Sequence, residues 1–362
     1  MPLPRSICRH PMSRRVVLRT RQMIHDAGLP TDASVIIACS GGADSTALAA
    51  ILASASGMGT RTIAHIRHDQ RPATDTLEDV RSVESLAVTL GLPCALGRAD
   101  AVGRGTEAAY RELRYRALGE LAREHGALCI ATAHHADDQL ETLLMRLTRG
   151  ASHRGMRGIS SRRTLACGVH LIRPMLETTA AEARALCREA GLDWREDPTN
   201  ADPNANRRAA FRAWIASSDA PSLAGAGRRA TRHARLMCDV AALVEEAADS
   251  LESASCGEEA TNAPLERSIL ATARDIVIGE VIRRRCRQAG GRSSTVDAAK
   301  IERLGRAIRS PSTEPKRIQL GDGVEARILA TKVIVERVAQ ADETDQPNLP
   351  KKTPAREAGT ER

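Results

Sequence analysis

The chain has 362 residues, 42% hydrophobic and 27% charged, with a formal net charge of +8. That is enough apolar material for a folded core and enough length for two domains, while no run is long enough to cross a membrane. Lysine is absent before Lys300, so Schiff-base lysines and a Walker-type GK[ST] lysine are excluded from that stretch.

The basic balance favours a polyanionic partner. Arginine carries nearly all the positive charge and gives forked contacts to phosphate, although an arginine-biased genome would produce the same choice. The nine cysteines occur singly with no C-x-x-C, which argues against zinc ribbons, redox pairs and cysteine-ligated clusters, and reads as reduced cytosolic thiols.

Residues 1–15 are arginine-rich without a long apolar segment and read as a disordered arm, not a secretion signal. From 16 to 216, strand and helix signals alternate. Residues 34–39 form a β-branched strand-like run, and 45–55 an alanine-rich helix. A strand at 62–66 precedes a helix over 74–90, with Leu77, Val80, Val83, Leu86 and Leu90 at helical spacing and Gly91 and Pro93 closing it. A strand near 93–98, a helix at 107–125, a strand at 128–133 and a helix from about 137 to 149 follow. A strand over 171–176 and a helix over 179–190 complete the pattern. This rhythm predicts an α/β fold with a doubly wound, mainly parallel sheet and right-handed crossovers. Residues 217–227 read as a linker. A smaller, mainly helical domain is expected over 228–340, with helices near 228–251, 265–289 and 295–309. Within it, 316–338 resembles a β-hairpin turning at Gly-Asp-Gly. The polar tail 341–362 reads as disordered.

The strand at 34–39 empties into Ser40, Gly41, Gly42, Ala43, Asp44 and Ser45 at a helix start. At the carboxyl edge of a parallel sheet, that turn aims free N–H groups at an anion. Gly41 and Gly42 allow close approach of the backbone, and Ser40, Ser45 and Thr46 offer hydroxyls. Asp44 would repel phosphate by itself and makes sense if it holds Mg²⁺. The plainer alternative is a glycine turn whose Asp and Ser cap a helix. A second strand, 128–133, opens into another polar block. There His134, Asp137, Asp138 and Glu141 fall at the N-terminal end or polar face of a helix whose buried stripe is expected to be Leu140, Leu143, Leu144 and Leu147. Asp137 is a candidate cap. Two such blocks at one sheet edge predict a shared active site.

"SGGADS" (40–45) resembles the PP-loop of the ATP pyrophosphatase superfamily, and further segments narrow the resemblance to the tRNA(Ile)-lysidine synthetases. "HIRHDQR" (65–71) is similar to their H-x-x-H-g-L-R region, with His68 and Arg71 in register and Gln70 in place of leucine. "EAAYRELRY" matches E-x-x-A-R-x-x-R-Y through Glu107, Arg111, Arg114 and Tyr115. "ATAHHADDQLETLLMRLTRG" (131–150) is the most diagnostic match, and "IRPML" and "WREDPTNAD" resemble later signatures. The similarity spans roughly 16–215.

The resemblance implies an adenine nucleotide alpha hydrolase-like fold, with ATP and Mg²⁺ as cofactors. It also implies free L-lysine and an isoleucine tRNA with a CAU anticodon as partners. Cytidine O2 would attack ATP, and lysine would then displace AMP from the adenylated base. The implied ATP-binding residues are Ser40 to Ser45, with Asp44 toward the metal. Asp44, His134, Asp138, Arg111 and Arg114 are the catalytic candidates; His134 or Asp138 would be the base, and Arg111 and Arg114 would face the phosphates. Arg207, Arg208 and Arg212 stand where the family has an R-N-x-x-R-type helix start and are expected to contact tRNA. The clusters 228–235 and 283–288 could track further phosphates or form solvated helix faces. A homodimer is compatible with the sequence, which does not set the oligomeric state. The rival readings are a PP-loop tRNA thiolase, disfavoured by the absence of C-x-x-C, and another ATP pyrophosphatase ligase.

Overall fold

The computed structural model describes residues 5–68, 73–99, 107–196, 207–217, 225–256 and 263–338. The expectations for Gln70, Arg71, residues 197–206, most of the 217–227 linker and the 341–362 tail lie outside the described residues. The chain divides into two compact units, Met1–Ala241 and Ala242–Arg362.

The first unit begins with α1 (Arg5–Arg9), α2 (Pro11–Asp26), β1 (Val35–Ala38), α3 (Ala43–Ala53), β2 (Arg61–His68) and α4 (Ala73–Leu90). It continues with β3 (Cys94–Ala99), α5 (Glu107–Glu124), β4 (Cys129–Ala131), α6 (Ala136–Leu147), β5 (Arg162–Thr164) and β6 (His170–Ile172). Then come α7 (Ala180–Glu189), α8 (Arg207–Ser217) and α9 (Ala226–Cys256), inside which the division between units falls. The sheet order is β3-β2-β1-β4-β6-β5, with every neighbouring pair parallel except β5–β6. The strand order reverses between β1 and β4, the position where open α/β sheets take ligands.

Both faces of the sheet are covered, so its strands are apolar at successive positions rather than alternating with polar residues. Val35 and Ile37 pack in the core with α2, α3, α4 and α7, while Ile36 packs with α5 on the opposite face. On α4, Val80, Val83, Leu86 and Leu90 are buried as the spacing requires, whereas Leu77 is exposed.

The N-terminal arm expected over 1–15 is corrected by α1 and α2, because Ile7, Met12 and Val16 are each only 1% exposed. Met12, Val16, Thr20 and Ile24 recur every four residues and make one buried stripe, with the arginines on the outer face. Pro11 starts α2, and the His10 side chain accepts from Met12 N–H. The strand expected over 171–176 ends after Ile172 at Arg173 and Pro174, since proline has no N–H for the ladder. Its antiparallel partner β5 has only three polar residues and leaves no periodic trace in the sequence.

The second unit contains β7 (Leu265–Glu266), α10 (Arg267–Thr272), α11 (Asp275–Gln288), α12 (Ala298–Arg309), β8 (Lys316–Gly321), β9 (Val324–Ile328) and β10 (Lys332–Arg337). The single helix expected over 265–289 is therefore a short strand and two helices. The hairpin turns at Asp322 (φ 54) and Gly323 (φ 74), as a two-residue loop with both φ positive requires. It gains β10, which pairs antiparallel with both β9 and β7. Val281, Leu304, Leu320, Val324 and Val333 fill this unit's core. The basic run 283–288 is not a free phosphate track: Arg283 and Arg285 are buried, and Arg284 and Arg285 both pair with Glu252.

Candidate active site

Gly41 has φ +88, a conformation that favours glycine, although an added Cβ would meet nothing closer than Val83 at 3.7 Å. Gly42 has an ordinary φ of −78 and is the N-cap of α3, with no side chain capping the helix. The helices that start after the neighbouring parallel strands differ. Both α6 and α7 are closed by capping boxes, His135 with Asp138 and Thr179 with Glu182. The open start of α3 thus leaves backbone N–H groups and the positive end of the helix dipole for an anion.

Ser45 Oγ donates to Gly42 O at 2.9 Å and accepts from Ser40 N–H at 3.2 Å. That hydroxyl shapes the loop instead of pointing outward, whereas Ser40 is exposed. Thr46 is buried and its hydroxyl has no hydrogen-bond partner. Arg195, from "WREDPTNAD", braces the loop. Its N–H donates to Gly41 O at 2.9 Å, and its guanidinium reaches Glu78 at 2.8 Å and Asp79 at 3.1 Å on α4. Nothing in the spacing of that segment points to this contact, which closes over a sequence separation far beyond local signals.

Asp44 Oδ1 is buried with no hydrogen-bond partner, while Oδ2 lies 3.4 Å from His135 Nε2. An unpartnered carboxylate oxygen beside an open helix start fits a divalent cation shared with phosphates. Among the described residues, no group of three or more His, Cys, Asp or Glu side chains could hold a metal by itself.

His135, not Asp137, caps α6. Its Nδ1 accepts from Asp138 N–H at a long 3.4 Å, and Asp138 Oδ2 accepts from His135 N–H at 3.0 Å. Asp137 instead accepts from Ala180 N–H, the first residue of α7, at 2.8 Å. Burial disfavours charge on His135, but the hydrogen bond to Asp44 and the charges of Asp138, Asp44 and Asp137 outweigh it and push its pKa up to about 9. With that pKa the ring is protonated near neutral pH, where Nδ1 carries a hydrogen 3.7 Å from Asp137 Oδ2 and the cap of α6 rests on the Asp138 carboxylate alone.

His134 has the opposite environment. Arg111 donates to its Nε2 at 3.2 Å, and its Nδ1 pairs with Thr132 Oγ1 at 2.9 Å, which fits a neutral ring protonated at Nδ1. Burial, with Arg173, Arg111 and Arg114 nearby against the opposing charge of Asp138, pushes its pKa down to about 3. Arg111 and Arg114 both approach the Tyr115 ring, at 5.5 and 5.7 Å.

The leucine stripe expected on α6 is only partly realised, with Leu143 buried and Leu147 56% exposed. The buried positions are Ala136, Gln139, Glu141, Thr142 and Leu143, because α6 packs against α8 on its polar side as well. Gln139 exchanges hydrogen bonds with the backbone of Ile159 in both directions. Glu141 is 2% exposed and takes a two-pronged bond from Arg212 at 2.8 and 3.1 Å, with Arg208 Nε at 3.5 Å. Arg208 and Arg212, expected to contact tRNA, are therefore engaged inside the protein, and α8 is pinned to the site helix. The side chain of Arg207 lies outside the described residues. Burial raises the pKa of Glu141 even against Arg212.

Residues 12–218 match the family model described as a PP-loop domain. The tRNA(Ile)-lysidine synthase of Salinispora tropica is 38% identical over 273 residues, covering 74% of this chain and 80% of that protein. The protein of the same name from Bordetella bronchiseptica is 38% identical over 242 residues, covering 63% of this chain and 69% of that one. Among solved structures, the U34-tRNA thiolase NcsA of Methanococcus maripaludis superposes with a TM-score of 0.50 at 13% identity, over 63% of this chain and 80% of that one, a likeness of fold alone. By its PP-loop domain and these relatives, the chain belongs to the tRNA(Ile)-lysidine synthase family.

Proposed function

We propose that the protein joins free L-lysine to C2 of the wobble cytidine of an isoleucine tRNA with a CAU anticodon, consuming ATP with Mg²⁺ and changing codon reading from AUG to AUA. It would act as a cytoplasmic ligase forming a carbon–nitrogen bond. The observation that carries this reading is the 3.4 Å contact between His135 and Asp44, which joins the nucleotide loop and the second polar block into one site.

The reaction divides into two balanced steps. Cytidine O2 attacks the α-phosphorus of ATP and pyrophosphate departs. The ε-amine of lysine then attacks the adenylated C2, loses a proton, and AMP departs. The open start of α3, the bare backbone at Gly42 and the Ser40 hydroxyl would hold the departing pyrophosphate. Asp44 would hold Mg²⁺, which when bound offsets phosphate charge. Arg111 and Arg114 would meet charge developing on the α-phosphate.

An ammonium cannot attack, so a base must take its proton. Of the two candidates, His134 offers an Nε2 already bonded by Arg111 and a basicity depressed to about 3. That favours Asp138 as the base, with His134 as a neutral group that holds Arg111. No membrane role is invoked, and no helix among the described residues is long and apolar enough to cross one.

Incubation with ATP, isotope-labelled lysine and the tRNA transcript tests the proposal. Label must enter the tRNA only when ATP is present and the anticodon is CAU. Consumption of ATP with all label left free would sink the assignment.

A further inference from the structure

Four arginines gather round one buried tyrosine at this sheet edge. The guanidinium carbons of Arg163, Arg111 and Arg114 lie 4.6, 5.5 and 5.7 Å from the Tyr115 ring centroid. Arg111 and Arg173 donate to the Tyr115 hydroxyl at 3.2 and 3.5 Å. They come from separate elements: Arg111 and Arg114 from α5, Arg163 from β5, and Arg173 from the end of β6.

Elsewhere in the chain, converging arginines share a carboxylate. Arg15 and Arg228 share Glu182, Arg19 and Arg235 share Glu177, Arg208 and Arg212 share Glu141, and Arg284 and Arg285 share Glu252. Round Tyr115, among the described residues, no Asp or Glu lies at ion-pair distance from any of the four. The ring face and the hydroxyl lone pairs meet only part of that charge. Arg173 is 3% exposed, and its buried Nε has no acceptor. Burial and its cationic neighbours hold its pKa below the usual arginine value. Arg173 also donates to the Ser160 carbonyl at 2.6 Å, but among the described residues the cluster has no anionic partner.

We propose that, beside the α-phosphate contact of Arg111 and Arg114, the Arg163 side of this cluster is a second phosphate subsite, separate from the loop at α3, and that it takes a backbone phosphate of the polynucleotide strand beside the base to be modified. This rests on the tRNA-modifying reading above and adds Arg163 and Arg173 to it. Strand β6 lies two positions from β1, about 10 Å across the sheet at roughly 4.8 Å per strand. Arg163, on the edge strand β5 beyond it, is exposed. A polynucleotide strand running past the sheet edge would bring phosphates to Arg163 on the edge strand, three positions from β1. Planar guanidiniums match phosphate oxygens in pairs. His134, bonded to Arg111, connects this cluster to the reacting end of the site.

The test uses the full chain and an RNA hairpin carrying the isoleucine CAU anticodon loop, bound without ATP or lysine across a range of salt. Arg163→Gln is expected to weaken binding about three- to tenfold and to lower the slope of log affinity against log salt by about 0.7, the share of one single-stranded phosphate contact. Arg163→Lys should restore the slope, and ATP affinity measured without RNA should not change. Thermal unfolding verifies that each variant is folded. Unchanged RNA affinity and slope would overturn the subsite, as would a loss of ATP affinity in place of RNA affinity. Neither readout needs lysidine to form. A failed lysine-transfer assay with the salt response intact would overturn the reaction and leave the subsite standing.

Discussion

His135 Nε2 lies 3.4 Å from Asp44 Oδ2, so the cap of α6 and the first turn of α3 meet through one imidazole. Asp44 is both the proposed metal ligand and the largest favourable influence on the charge of His135. Asp44→Asn should lower tRNA-dependent pyrophosphate release by about a hundredfold or more, as loss of one preorganised electrostatic partner does. In the same variant the His135 pKa should fall from about 9 toward its ordinary range, which NMR titration of the imidazole can read. A variant with wild-type release rates would remove Asp44 from the chemistry.

The two loop glycines should separate stability from binding. Gly41→Ala places a side chain at φ +88 and should cost about 1–2 kcal/mol of unfolding free energy. Gly42→Ala has ordinary backbone and 3.6 Å of clearance to Ser40 Oγ, so stability should change by less than about 0.5 kcal/mol. Its methyl group would nevertheless stand at the open helix start, and ATP affinity should drop. Denaturant midpoints and ATP titrations of both variants give the comparison, and equal ATP binding by Gly42→Ala and wild type would show that the helix start is not the phosphate cradle.

The Glu141–Arg212 pair predicts a destabilised variant away from the reacting atoms. Arg212→Ala leaves a carboxylate that is 2% exposed with only Arg208 nearby, and should cost about 2–4 kcal/mol. Arg212→Lys keeps the charge but loses the fork, so it should recover only part of that. Urea unfolding measures both. If Arg212→Ala weakened tRNA binding at unchanged stability, the residue would be a tRNA contact after all.

His134 gives a pH dependence whose sign follows from its environment. Its pKa is pushed from 6.5 in the unfolded chain to about 3 in the fold, so below pH 6.5 the unfolded state binds the extra proton. Its contribution is fully present above 6.5, declines as pH falls, and is gone below about 3. By pH 5 the loss should be about 2 kcal/mol, at 1.36 kcal/mol per pH unit. Urea midpoints at pH 7 and pH 5 should show a smaller decline in His134→Gln than in the wild type. Equal declines would mean that the ring is charged in the fold.

Much of the first unit was legible because its signals are local. Buried parallel strands are short apolar runs, α4 carries its spacing openly, and the open start of α3 follows a glycine pair. The helix α2 is hard to read from the sequence because its apolar stripe is thin, one of its four members is Thr20, and arginines fill the positions between. Glu141 was missed as a buried residue because a carboxylate in a polar block reads as exposed until its arginines arrive from α8. Arg195 bracing Gly41 left no sequence trace at all.

The sequence alone determined which helix starts could receive an anion, since that depends on a glycine pair, a serine and an aspartate next to one another along the chain. Only the tertiary structure decided the protonation of the two histidines. His134 and His135 are neighbours in sequence, yet one faces arginines from α5 and the end of β6 while the other faces Asp44 from α3. Charge acts through space and falls with distance, so it is set by which elements the sheet brings together and not by the order of residues.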